Sequence, residues 1–133
     1  LAAGCGGSNW HNPPGCSLPS GTTTVLVYPA PGSTGIPDNF GAVVLGSSRA
    51  LPASFDVLIV SNTTNNGVYY NTLGAGPSPL PSPAATPGFA NPVYQTSGNP
   101  GVTWFGGSAL TVYLNDTGSN CVPTLSLGTF NVQ

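Results

Sequence analysis

Charge is almost missing from this chain of 133 residues: Arg49 stands against Asp38, Asp56 and Asp116, with no Lys, no Glu and a single His11. Ordinary soluble proteins carry roughly 25% charged residues; here the figure is 3%. Phosphate backbones are neutralised by clusters of Lys and Arg, so nucleic acid is excluded as a partner, and an anionic membrane surface is excluded for the same reason. Long apolar runs are missing too. No stretch approaches the roughly 20 apolar residues of a spanning helix, and no long window shows the i, i+3, i+4 spacing of an amphipathic helix.

The side chains of catalysis are equally scarce. A hydrolytic triad needs a base, and His11 lies in an N-terminal segment outside the predicted domain. A carboxylate pair would have to be drawn from Asp38, Asp56 and Asp116. Asp38 sits in a Pro-Asp-Asn turn and Asp116 in Asn-Asp-Thr-Gly, where Asp bonds its own backbone. Asp56 alternates with core residues and is expected to face solvent. Three scattered Asp make a weak case for calcium, and no two cysteines have short zinc-ligand spacing. The reading is of a non-enzyme with no catalytic residue, metal or cofactor. Asn62-Thr63-Thr64 and Asn115-Asp116-Thr117 match the N-glycosylation pattern, which Asn/Thr-rich loops produce by chance.

What the chain does have is 19 Gly and 15 Pro among many Ser, Thr and Asn. Residues 1–21 cluster Gly, Pro, Ser and Asn without apolar period and read as a flexible N-terminal tether. Residues 22–133 read as one domain. Within it, 22–28, 40–45, 55–60, 68–73, 93–96, 102–105, 109–114 and 124–132 are short apolar or β-branched runs separated by Gly and Pro. Asn66-Gly67 suggests a type I′ hairpin turn between the third and fourth. The prolines at 77, 79, 81, 83, 87 and 92 rule out a central strand and predict an extended crossover on the surface. Seven or eight short strands mean an all-β sandwich or small barrel. Its expected core is Val25, Val27, Val43, Leu45, Val57, Ile59, Leu110, Val112, Leu114, Leu125 and Leu127.

Tyr28-Pro29-Ala30-Pro31-Gly32-Ser33-Thr34-Gly35-Ile36-Pro37 resembles the opening of bacterial immunoglobulin-like domains of the Big type, where a Pro-x-x-Gly-x-x-Gly-Val-Pro segment follows the first strand. Leu127-Gly128-Thr129-Phe130-Asn131-Val132 is similar to their last strand. The resemblance spans 22–133 and implies an immunoglobulin-like β-sandwich of about seven strands with a surface-display, adhesion or spacer role and no catalytic residues. The acidic residues usual in that family are absent, and the Pro-rich crossover is longer than such domains carry.

Three cysteines leave one without an internal partner. Leu1-Ala2-Ala3-Gly4-Cys5-Gly6-Gly7 resembles the end of a bacterial lipoprotein signal peptide, with Cys5 as the lipidated residue; the alternative is a Gly-rich terminus with an incidental thiol. Cys16 and Cys121 then remain for a disulfide, which by closing a loop of about 100 residues contributes on the order of 4–5 kcal/mol in the chain-entropy model. These features predict an extracellular, lipid-anchored domain on the cell surface that meets the membrane only through its anchor.

Weak charge repulsion leaves self-association open, so one rival is a filament subunit assembled by β-strand addition. Another is a carbohydrate-binding module. Tyr69, Tyr70 and Trp104 are candidates for an aromatic contact surface toward a surface protein or glycan, and because neighbouring strand residues face opposite ways, one of each pair in Tyr69-Tyr70 and Trp104-Phe105 is expected in the core.

Overall fold

A computed structural model describes residues 22–64, 66–70, 73–99, 101–116 and 125–133. Cys5, Cys16, Cys121, His11 and the whole 1–21 tether lie outside the described residues. The described chain forms eight strands and no helix: β1 (Thr24–Tyr28), β2 (Val44–Ser47), β3 (Phe55–Ser61), β4 (Gly67–Tyr70), β5 (Leu73–Ala75), β6 (Val93–Ser97), β7 (Ala109–Asp116) and β8 (Leu125–Asn131). They make two antiparallel sheets, β1-β2-β6-β5 and β4-β3-β7-β8. This is a β-sandwich. The strand order is that of an immunoglobulin sandwich whose second sheet has gained a fourth strand.

The main core lies between the sheets and follows the period-2 alternation of the long strands. Val57 and Ile59 from β3 and Leu110, Val112 and Leu114 from β7 are fully buried there, facing Leu26 and Leu45 of the first sheet. Phe130 of β8 closes one side, edge-on to Phe40 with ring centroids 5.2 Å apart, and Phe40 in turn stacks on Tyr70 at 6.4 Å. Leu125 and Leu127 are only partly buried against this core.

Strand β1 corrects the expected core. Leu26 points inward, while Val27, with Tyr28 and Val44, forms a second apolar cluster joined by Val25, Leu80 and Tyr94. Val25 and Val27 therefore belong to the outer face of the first sheet. That face is apolar because it is roofed. The Pro-rich segment crosses it, with the Pro87 ring 3.0 Å from where a Cβ on Gly46 would sit, and it reaches the free edge of β1, where Ala85 N–H donates to Val27 O at 2.8 Å and Ala30 N–H to Pro83 O at 3.0 Å.

The edge of β8 is covered as well. Residues 32–36 run alongside its end: Gly32 N–H donates to Thr129 O, Asn131 N–H to Ser33 O and Ile36 N–H to Asn131 O, and Ile36 bridges Val132 in parallel. A turn launches this segment, with Ser33 N–H bonded to Ala30 O and Gly32 supplying the positive φ (81°) that its third position requires. Pro31 lies 3.1 Å from where a Cβ on Gly128 would be.

Three strand assignments shift. Residues 40–43 precede β2, which runs on to Ser47. The run 68–73 is two strands in different sheets, β4 and β5, because the chain must change layers after β4 to bring β5 beside β6. Residues 102–105 form no strand. Gly67 does not have positive φ, so the β3–β4 connection is not an Asn-Gly type I′ turn. It is longer, and Ser61 N–H donates to Asn66 O at 2.8 Å across it.

Candidate functional site

At the end of the sandwich where the β3–β4 connection meets the β6–β7 connection there is a groove of about 520 Å³. Its apolar lining is Val68 from β4 with Val102, Trp104 and Phe105, and Ser61, Thr64, Asn66 and Thr103 supply hydroxyls and an amide among them.

The segment carrying the aromatics is held on both sides. Trp104 N–H donates to Asp38 O at 2.8 Å, and Phe105 O accepts from Ser108 N–H at 3.1 Å and from Ser108 Oγ–H at 2.6 Å. Gly107, with φ of 84°, makes this last turn possible. Ser108 O is tied to Val132 N–H at 3.0 Å, which fixes the turn to the end of β8. Trp104 then points into the core at 5% exposure, and its Nε1–H donates to the Tyr70 hydroxyl over 3.4 Å. Burial raises the Tyr70 pKa above 10.0, so the phenol stays neutral. Phe105 points the other way and is 74% exposed.

No family model, no curated protein and no solved structure matches this chain. The site therefore has to be read from its own geometry.

Of the three aromatic candidates, only Tyr69 is exposed, at 44%, while Tyr70 is fully buried. Trp104 lines the groove but is buried at the base of its segment. The residue that sequence reasoning left out of the candidate set is Phe105, although the alternation rule for Trp104-Phe105 pointed to one outward partner. Tyr69 lies on a different surface. It pairs with Leu58, which pairs on its other side with Tyr113, so this row faces outward from the second sheet.

Asp56 overturns its expectation. It is buried, at 6% exposure, and its Oδ1 accepts a 2.9 Å hydrogen bond from Asn115 Nδ2, directly across the β3–β7 ladder. Asn115 is 4% exposed and its Oδ1 has no partner among the described residues, so this Asn is also hidden as a glycosylation acceptor. Burial raises the Asp56 pKa above 3.8, opposed by the Asn115 hydrogen bond. A protonated Asp56 has the donor that Asn115 Oδ1 lacks.

The pH dependence follows. Between 3.8 and the raised folded value, the native carboxyl keeps a proton that the unfolded chain has released. Stability from this group is full below that window and is lost as pH rises through it. Asp56→Asn carries both a donor and an acceptor at every pH. Urea unfolding at acid and neutral pH is expected to show a variant whose advantage over the wild type grows as pH rises.

Proposed function

We propose that this chain is a non-catalytic, outward-facing domain of a bacterial lipoprotein, related to the bacterial immunoglobulin-like domains, that adheres through the groove beside Phe105. The observation that carries the reading is the exposed Phe105 ring. A large apolar side chain held in water by a backbone fixed on both sides gains nothing for folding, and its full burial in a complex would contribute about 1.5–3 kcal/mol. Because the turn is pinned before a partner arrives, little ordering entropy is spent on binding.

Composition supports the outward placement. A chain rich in hydroxyls and amides, with one Arg and no Lys, offers few cleavage sites to proteases that cut at basic residues. The anchor would be Cys5, with Cys16 and Cys121 bridged. Display is favoured over the filament reading because the edges of both β1 and β8 bond to segments of the same chain and the other sheet edges, β4 and β5, are short, which leaves less of the unpaired backbone that strand addition uses.

Intact mass of the natively produced protein, measured before and after reduction, tests the placement. A diacylglyceryl adduct on Cys5 and a gain of two hydrogens on reduction are expected. An unlipidated Cys5 would refute the anchor.

A further inference from the structure

We propose that the groove beside Phe105 takes a neutral saccharide. This rests on the adhesion reading above and names its ligand class. None of the chain's four charged side chains, Asp38, Arg49, Asp56 and Asp116, lines the groove. A charged ligand would lose hydration there without gaining a counter-charge. A wholly apolar ligand is disfavoured because Thr64, Asn66 and Thr103, which line the same groove, would lose water without a partner. What remains is a ligand with an apolar face and a hydroxylated rim and no charge.

A pyranose ring has that chemistry. Its axial C–H face packs on an aromatic ring, and its equatorial hydroxyls both donate and accept. Phe105 presents the ring, with Val68 and Val102 extending the apolar floor. Thr64 and Asn66 are exposed and line the same groove, offering a hydroxyl and an amide that can each donate and accept. Ser61 is buried, and its Oγ accepts from Thr63 N–H and Thr64 N–H, each at 3.3 Å, which shapes the connection that carries Thr64 and Asn66. The volume of about 520 Å³ falls within the range of roughly 300–1,000 Å³ usual for small-molecule sites, which suits a short stretch of a glycan and not a whole protein surface.

The test is an NMR titration of the ¹⁵N-labelled chain with hexamers of β-1,4-linked glucose, β-1,4-linked N-acetylglucosamine and α-1,4-linked glucose, with a galacturonate hexamer as the anionic control. At least one neutral hexamer is expected to shift the Trp104 indole N–H and the amides of 102–105 at sub-millimolar concentration. Phe105→Ala should weaken that binding by about tenfold or more, and Tyr69→Ala, on the outer face of the second sheet, should leave it unchanged. No shift with any neutral hexamer at millimolar concentration would overturn the proposal. So would preference for the galacturonate, shifts confined to the Tyr69 and Tyr113 face, or protection of the β4 amides by an added peptide with the groove indifferent to sugar. If Phe105→Ala abolishes attachment of displaying cells while no hexamer binds, the ligand class is wrong and the adhesion reading stands.

Discussion

Phe130→Ala is expected to destabilise the domain by about 3–5 kcal/mol, the usual cost of emptying a buried aromatic site, and to lower its melting temperature by roughly 10–25 °C. Phe130 is fully buried and is the contact through which Phe40 is seated. Phe40 belongs to the long connection between β1 and β2, which lacks a ladder of its own at that point. Truncation therefore opens a cavity and also frees the ring that stacks on Tyr70. Neighbouring side chains cannot collapse into the space without pulling β8 from β7, and those two strands pair from Ala109↔Asn131 to Leu114↔Leu125. Urea unfolding and a thermal melt of the purified domain measure it. A loss below about 1 kcal/mol, the level of a surface substitution, would mean that Phe130 is not packed as described.

Gly76→Ala is the second large effect, and it acts locally. A Cβ at this position would stand 2.6 Å from Tyr94 Cβ, 2.8 Å from Tyr94 O and 2.9 Å from Tyr94 C. Two of those atoms are backbone and cannot swing aside. Gly76 N–H also donates to Tyr94 O at 3.0 Å, so relief of the clash breaks the bond that continues β5 along β6. Overpacking costs about 1–3 kcal/mol, and the lost hydrogen bond adds about 1 kcal/mol. The damage should spread into the proline-rich roof, because Gly76 is where that segment leaves β5 and Tyr94 belongs to the cluster beneath it. Hydrogen exchange is expected to speed up at β5 and at Ala85, with β3 and β7 protected as in the wild type. Unchanged exchange at β5 would contradict the close approach.

Much of the fold was legible in short-range pattern. The clean alternation of Leu110, Val112 and Leu114 and of Val57 and Ile59 identified β7, β3 and the faces they bury, because a strand with one wet face announces its period. The same rule misassigned β1. Val25, Leu26 and Val27 are all apolar, and the tie is broken by the roof laid on from 80–87, a contact distant in sequence. Residues 68–73 look like one strand because nothing in Tyr69-Tyr70-Asn71-Thr72 marks a change of sheet. Asp56 alternated as a solvent residue should, yet its cross-strand partner is Asn115, and pairing of that kind depends on register that only the ladder reveals.

The site was half legible. Alternation said that one of Trp104 and Phe105 would be outside, and Trp, being larger and polar at one end, was the more conspicuous choice. The decision rests on two hydrogen bonds, one from Trp104 N–H to the distant Asp38 carbonyl and one from Ser108 Oγ–H to Phe105 O within the local turn, which hold the segment with the indole inward toward Tyr70. The polar part of the lining was not foreseeable from composition, since Thr64 and Asn66 belong to a connection whose shape followed neither the Asn-Gly signal nor a tight turn.

Whether adhesion passes through the Phe105 groove is tested most directly by retention under flow of cells displaying the wild-type chain, Phe105→Ala or Tyr69→Ala at equal surface density, on the surface to which wild-type cells attach. Phe105 is exposed, so its truncation should change stability by no more than about 0.5 kcal/mol, and equal melting temperatures would show that the fold is intact. With adhesion through the groove, Phe105→Ala cells wash off while Tyr69→Ala cells hold as the wild type does. Equal retention of the Phe105→Ala and wild-type cells would contradict it.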